Sequence, residues 1–142
     1  MSDFVIHPQL LADCHHLGRL EISHLLLNKN AVLPWFILVP EYGVGDLLDL
    51  APQKRNLVMT EAASIAGFVK GHFALAKINF AAIGNVVPQL HLHVVGRRAG
   101  DACWPAPVWG HLRETRDYTA QELATIAAQL ARQCNLRRAV RI

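Results

Sequence analysis

Polar and apolar residues alternate along Gln89-Leu90-His91-Leu92-His93-Val94-Val95, and a period of two predicts a strand with one polar and one buried face. Gln89, His91 and His93 share the polar face, while Leu90, Leu92 and Val94 face a core. Other stretches follow the helical period. Leu10, Leu11, Cys14 and Leu17 predict a short helix over Pro8 to Leu17, ended by Gly18. Val58, Ala62, Ile65, Val69 and Phe73 form the stripe of the longest helix, opened by Pro52 and running to about Phe73. Thr119 and Glu122 have capping-box spacing, with Tyr118 and Leu123 placed as a hydrophobic staple. The helix they start, over about 119–134, buries Leu123, Ile126, Ala127, Leu130 and Cys134.

The remaining apolar runs read as strands. Arg19 to Ser23 alternates and merges with His24 to Leu27; Asn28-Lys29-Asn30 then supplies a turn, and Trp35 to Val39 lies between Pro34 and Pro40. Lys77 to Ile83 is a further strand, followed by Gly84-Asn85 and the histidine strand. A strict two-residue turn at Gly84-Asn85 would set Asn79 opposite Leu90 and turn it to the core. A longer loop or bulge around Val86 to Pro88 is needed if Asn79 is to serve the histidines. Gly100 to Gly110, with Trp104 and Trp109, is an irregular aromatic loop. Short connections favour antiparallel pairing. The expected fold class is α+β: one mainly antiparallel sheet of about five strands with helices packed on one face.

Composition narrows the class without naming a function. At 142 residues, 52% hydrophobic and 18% charged, the chain is expected to form one globular domain over 1–142, since no repeat or linker divides it. A net charge of +3 permits phosphate binding but falls short of a dedicated nucleic-acid footprint, so no specific nucleic-acid partner is expected. Cys14, Cys103 and Cys134 are odd in number and scattered, which suits a reducing cytosol rather than a disulfide framework. Met1-Ser2-Asp3-Phe4 lacks the look of a secretory leader. The apolar stretch Leu25 to Pro40 is interrupted by Asn28-Lys29-Asn30 and Pro34, so no membrane span is expected. The expected location is the cytoplasm.

The chemistry is concentrated at His91. A neutral imidazole attacks phosphorus through one nitrogen when the other holds its proton on a backbone carbonyl. Gln89 and His93 on the same face would hydrogen-bond the non-bridging oxygens, and Arg97 and Arg98 follow directly, which points to an anion. The plain alternative is a pair of satisfied structural histidines. His-x-His is also metal-ligand spacing, but no nearby Asp, Glu or Cys supplies an obvious third ligand. His15-His16 beside Cys14 reads as the polar side of the first helix, Trp104 and Trp109 as packing residues, and Arg137, Arg138 and Arg141 as a solvated or dimer-edge tail.

Pro88-Gln89-Leu90-His91-Leu92-His93-Val94-Val95 resembles the signature of the histidine triad (HIT) superfamily, His-φ-His-φ-His-φ-φ with φ apolar. Leu27-Asn28-Lys29, Pro34 and Ile37-Leu38-Val39-Pro40 look like its strand–Asn–turn–Pro-Gly-His–strand segment. Gly84-Asn85-Val86-Val87 is similar to its Gly-Gln-x-Val lead-in, and the resemblance covers about 19–98. It implies a five-stranded antiparallel sheet, a homodimer, and nucleotide hydrolases or transferases acting on nucleoside phosphate conjugates or dinucleoside polyphosphates, without a cofactor. By the same resemblance His91 is the nucleophile, His93 a phosphate contact and Asn28 the ribose ligand, with Asn79 and Asn85 near phosphates. Two departures stand out: Gln89 occupies the first triad position, and Pro34-Trp35-Phe36 replaces Pro-Gly-His, with Phe36 expected in place of an imidazole beside the site. A nucleotide-binding module without turnover and a metal-dependent hydrolase remain as the other readings.

Overall fold

The computed structural model describes residues 3–139. Helix α1 (Pro8–Asp13) leads straight into strand β1 (Cys14–Arg19), then β2 (Ser23–Asn28) and β3 (Trp35–Pro40). A single 3-10 turn at Leu47–Asp49 precedes α2 (Pro52–Phe73); β4 (Lys77–Ala81), β5 (Leu92–Arg97), α3 (Ala120–Cys134) and β6 (Arg137–Arg138) complete the chain. Every strand pair is antiparallel, in the order β4-β5-β3-β2-β1-β6. Among the described residues the sheet therefore has six strands, one more than expected. The extra one is the basic tail: Asn135 turns the chain in a left-handed conformation after α3, and Arg137 and Arg138 pair with Arg19 and Gly18. Arg141 lies outside the described residues.

Several boundaries differ from the local pattern, among them the end of β4 at Ala81 rather than Ile83. The first helix stops at Asp13 rather than Leu17, because Cys14, His15 and His16 pair with Asn28, Leu27 and Leu26 of β2. Cys14 is buried with Leu10 and Leu26 on one face of the sheet, while Leu17 is buried with Leu25 and Leu27 on the other. A single helical stripe cannot serve two opposite faces, and sheet pairing overrides helical spacing. The expected strand from Arg19 to Leu27 is broken after Arg19 by a turn in which the Leu20 amide donates to the Ser23 carbonyl. The histidine strand starts at Leu92, with Gln89, Leu90 and His91 outside the ladder. Continuing the β3–β5 register would set Leu90 against Pro40, which has no N–H to donate.

Alternation sorts the core into two layers. Leu25, Leu27, Phe36, Leu38, Leu92 and Val94 pack on α2 and α3. Leu26, Ile37 and Val39 face the other way, under Ile6 and Leu10 from the N-terminal segment. Both long helices thus lie on one side, and only short α1 and loops reach the other. Among the described residues no helix is long and apolar enough to cross a membrane.

Gly18 sits where β1 bulges between His16 and Gly18 to admit β6. A Cβ there would run into the Arg137 carbonyl oxygen. Gly18→Ala is therefore expected to cost about 1–3 kcal/mol by overpacking. The urea midpoint should fall, and the Ala139 amide, which donates to Leu17 in the native chain, should lose exchange protection.

Candidate active site

On the sheet face away from α2 and α3, a cleft of about 350 Å³ opens over His91 and His93. Its apolar wall is built by Leu10 of α1, Cys14 of β1, Ile37 of β3 and the loop residues Ile83, Val86 and Val87. Polar groups enter at Gln9 and Asp13 from α1, Asn28 at the end of β2 and Asn85 on the β4–β5 loop. Trp35 and Trp109 close the side next to His93. The Cys14 thiol is pushed up to about 12, chiefly by burial and then by the Asp13 charge.

His91 is 7% exposed, and its Nδ1 lies 2.7 Å from the Gln89 carbonyl oxygen. A carbonyl only accepts, so Nδ1 carries the proton and Nε2 keeps its lone pair. His93, 6% exposed, accepts a hydrogen bond at Nδ1 from the Trp35 indole N–H, 3.0 Å away. Burial, and then the neighbouring His91, lowers the His93 pKa to about 4, so this ring is neutral at physiological pH. The two imidazoles meet edge to face at 5.0 Å, and Trp109 packs edge-on against both His93 and Trp35.

The structure gathers some of the predicted site residues and separates others. Asn28 and Asn85 reach the cleft with His91 and His93; Asn28 Oδ1 also accepts the Asn30 amide at 2.9 Å. Gln89 is engaged elsewhere. Its Oε1 accepts the His7 amide and its Nε2 donates to the Val5 carbonyl, each at 2.8 Å, so it pins the N-terminal segment from which α1 continues into the cleft wall. The connection from β4 to β5 is the longer kind of loop, and Asn79 pairs with Val95 rather than a histidine. Asn79 accepts from Arg97 at 2.8 Å and does not line the cleft.

Arg97 and Arg98 are not placed as the sequence suggested. Arg97 is 1% exposed and bonds Asp101 through Nε and Nη2 at 2.7 and 3.0 Å, with Trp104 over its guanidinium. Arg98 is exposed and lies outside the cleft. Phe36 is fully buried on the helix side and does not stand beside the site; Trp35, one position earlier, does. Only the parity of β3 reveals this. His15 and His16 stand on β1, where His16 contacts His24, and His24 pairs with Glu41 at 2.8 Å. Among the described residues no three His, Cys, Asp or Glu side chains form a set able to hold a metal ion. Gln9, Asp13 and Trp109 were missed, since nothing local in the sequence marks a helix carried across a sheet face.

The HIT domain family matches residues 10–100, a span that encloses every histidine-cleft residue except Gln9 and Trp109. The chain belongs to the HIT domain family. Solved HIT proteins agree over nearly the whole length. One from Bradyrhizobium japonicum is 36% identical, covers 92% of this chain and 97% of its own, and has a TM-score of 0.85. One from Sinorhizobium meliloti is 32% identical over 92% of this chain and 97% of its own, with a TM-score of 0.86. A curated relative, the asymmetrical bis(5'-nucleosyl)-tetraphosphatase of Schizosaccharomyces pombe, is 26% identical over 89 residues, 58% of this chain and 49% of that protein. The chain thus spans about half the length of that curated relative.

Two substitutions check this assignment of parts. Asp101→Asn leaves the buried Arg97 guanidinium without its anion, at an expected cost of about 3–5 kcal/mol, read from urea unfolding. The hydrogen bonds from Arg97 hold the Asp101 pKa at about 2, below the ordinary 3.8. A depressed folded-state pKa contributes stability that is present above 3.8 and is lost as the pH falls towards 2, so the wild type should weaken over that window more than Asp101→Asn, which keeps only the loss from other carboxylates such as Glu122. Gln89→Ala removes two hydrogen bonds from the N-terminal segment. It should cost about 1–3 kcal/mol and raise the exchange rate of the His7 amide more than that of amides in α2.

Proposed function

We propose that the chain is a metal-independent nucleotide hydrolase or transferase that cleaves at the α-phosphate of dinucleoside polyphosphates or nucleoside phosphate conjugates. His91 is the nucleophile. The observation that carries this reading is the commitment of its Nδ1–H to the Gln89 carbonyl, which leaves the Nε2 lone pair available above a cleft of nucleotide size. The apolar wall suits a nucleoside, with the Asn28 amide for the ribose and the Asn85 side chain for phosphate at the rim. His93 hydrogen-bonds a non-bridging oxygen as charge develops there. Gln89 and Asn79 drop out as direct phosphate contacts because their amides are engaged by the N-terminal segment and by Arg97.

The similarity to the tetraphosphatase supports polyphosphate substrates. The reading includes one domain over the chain, a cytoplasmic location consistent with three cysteines that form no disulfide, and a homodimer joined along an edge of the sheet. Among the described residues β4 pairs with β5 alone and carries the half-exposed Phe80, which favours that edge.

The test is intact-protein mass spectrometry after brief mixing with diadenosine tetraphosphate. A transient adduct of one nucleoside monophosphate is expected. His91→Ala should abolish the adduct and lower turnover by on the order of 10⁴-fold or more, with the circular dichroism unchanged. Turnover retained in that variant would overturn the mechanism. Thermal protection by nucleotide with no turnover on any substrate would instead establish a binding module, a reading favoured by the absence of a titratable side chain at Gln89 and Trp35.

A further inference from the structure

We infer that Trp35 is a positioning residue that fixes His93 as a neutral hydrogen-bond donor, leaving the cleft without a general acid among the described residues, so that its substrates carry leaving groups able to depart unprotonated. The inference rests on the nucleotidyl-histidine reading and adds the leaving-group class to it.

An indole nitrogen only donates, so the 3.0 Å contact requires His93 Nδ1 to be the acceptor and places the ring proton on Nε2. His93 lines the cleft, and its Nε2 has no protein partner among the described residues. The N–H is therefore available to a phosphoryl oxygen. A neutral imidazole gives up that proton only by becoming an anion, which makes His93 a donor and not an acid. Trp109, edge-on to both rings, holds the pair in place.

The other titratable groups on the cleft come from α1, β1 and the segment before β5, and none replaces the missing acid. Asp13 is an exposed carboxylate that already accepts from Gln9. Cys14 is a buried thiol held protonated far above neutral pH. His91 is occupied as nucleophile, with its Nδ1–H donated to the Gln89 carbonyl. Among the described residues no Lys, Arg, Glu or Tyr lines the cleft.

In the first step the Nε2 lone pair of His91 forms the N–P bond, and the P–O bond breaks with its electron pair retained by the leaving oxygen. In the second, water adds to phosphorus, the N–P electrons return to Nε2, and the water proton passes to solvent. No proton reaches the leaving group from the protein. A nucleoside polyphosphate departs readily as an anion, whereas an amine or an alkoxide does not. The favoured bond is thus a phosphoanhydride.

Two measurements test this, one of them independent of turnover. Long-range ¹H–¹⁵N spectra of the labelled protein should show His93 as the neutral Nε2–H tautomer down to about pH 5, and Trp35→Phe, which keeps an aromatic ring but removes the donor, should mix the tautomers. An Nδ1–H tautomer in the wild type overturns the inference. For turnover, the para-nitrophenyl ester of adenosine monophosphate should react at least about 10²-fold faster than adenosine phosphoramidate, the size of a missing general acid. Comparable rates would mean that an acid acts, and would overturn the leaving-group claim. Failure of both substrates and of diadenosine tetraphosphate, with the Nε2–H tautomer intact, would overturn the hydrolase reading and the leaving-group claim built on it, while the tautomer assignment would stand on the spectra.

Discussion

The register between β3 and β5 governs what faces the helices and what faces the cleft. Phe36 opposite Val94 and Ile37 opposite His93 place one pair in each layer. A slip of one residue would drive His93 into the apolar layer beneath α2 and expel Val94. That slip is strongly opposed, because Phe36, Leu38, Leu92 and Val94 are all fully buried on the helix side. The helix-side core thus fixes which residues face the cleft.

Around that face the polar interactions share a direction: each imidazole has one nitrogen committed and one left over. Gln89 does this for His91 through its backbone carbonyl, and Trp35 for His93 through its indole. Gln89 has a second task, because its side chain ties down the segment that carries α1 across the sheet. One residue therefore sets both the ring proton of His91 and the wall of the pocket. The basic and acidic groups that could confuse this arrangement are kept apart, with Arg97 closed onto Asp101 at the far end of β5.

The parts of this fold legible in the sequence are those whose signals are local. The stripe of α2, the prolines around β3 and the Thr119–Glu122 capping box are all found as read, since each involves residues within a turn or two of one another. The ending of α1 at Asp13 was not legible, because a ladder to β2 decides it. The same holds for Arg97, whose partner Asp101 lies near in sequence but whose burial depends on the whole sheet face. His91, His93, Asn28 and Asn85, singled out by spacing and resemblance, converge on one cleft. Gln89 was found but assigned the wrong neighbours, since its partners are 82 and 84 residues away. Trp35 was hidden by a one-residue offset that only strand parity resolves.

Cys14 brings one more property to the cleft. Its sulfur forms part of the wall, yet a thiol held near 12 has a negligible thiolate fraction at neutral pH. Oxidants and alkylating agents react with the thiolate, so the pocket presents them with an inert, polarizable surface rather than a reactive one. Under oxidative stress the wall of the cleft should outlast more accessible thiols elsewhere on the molecule.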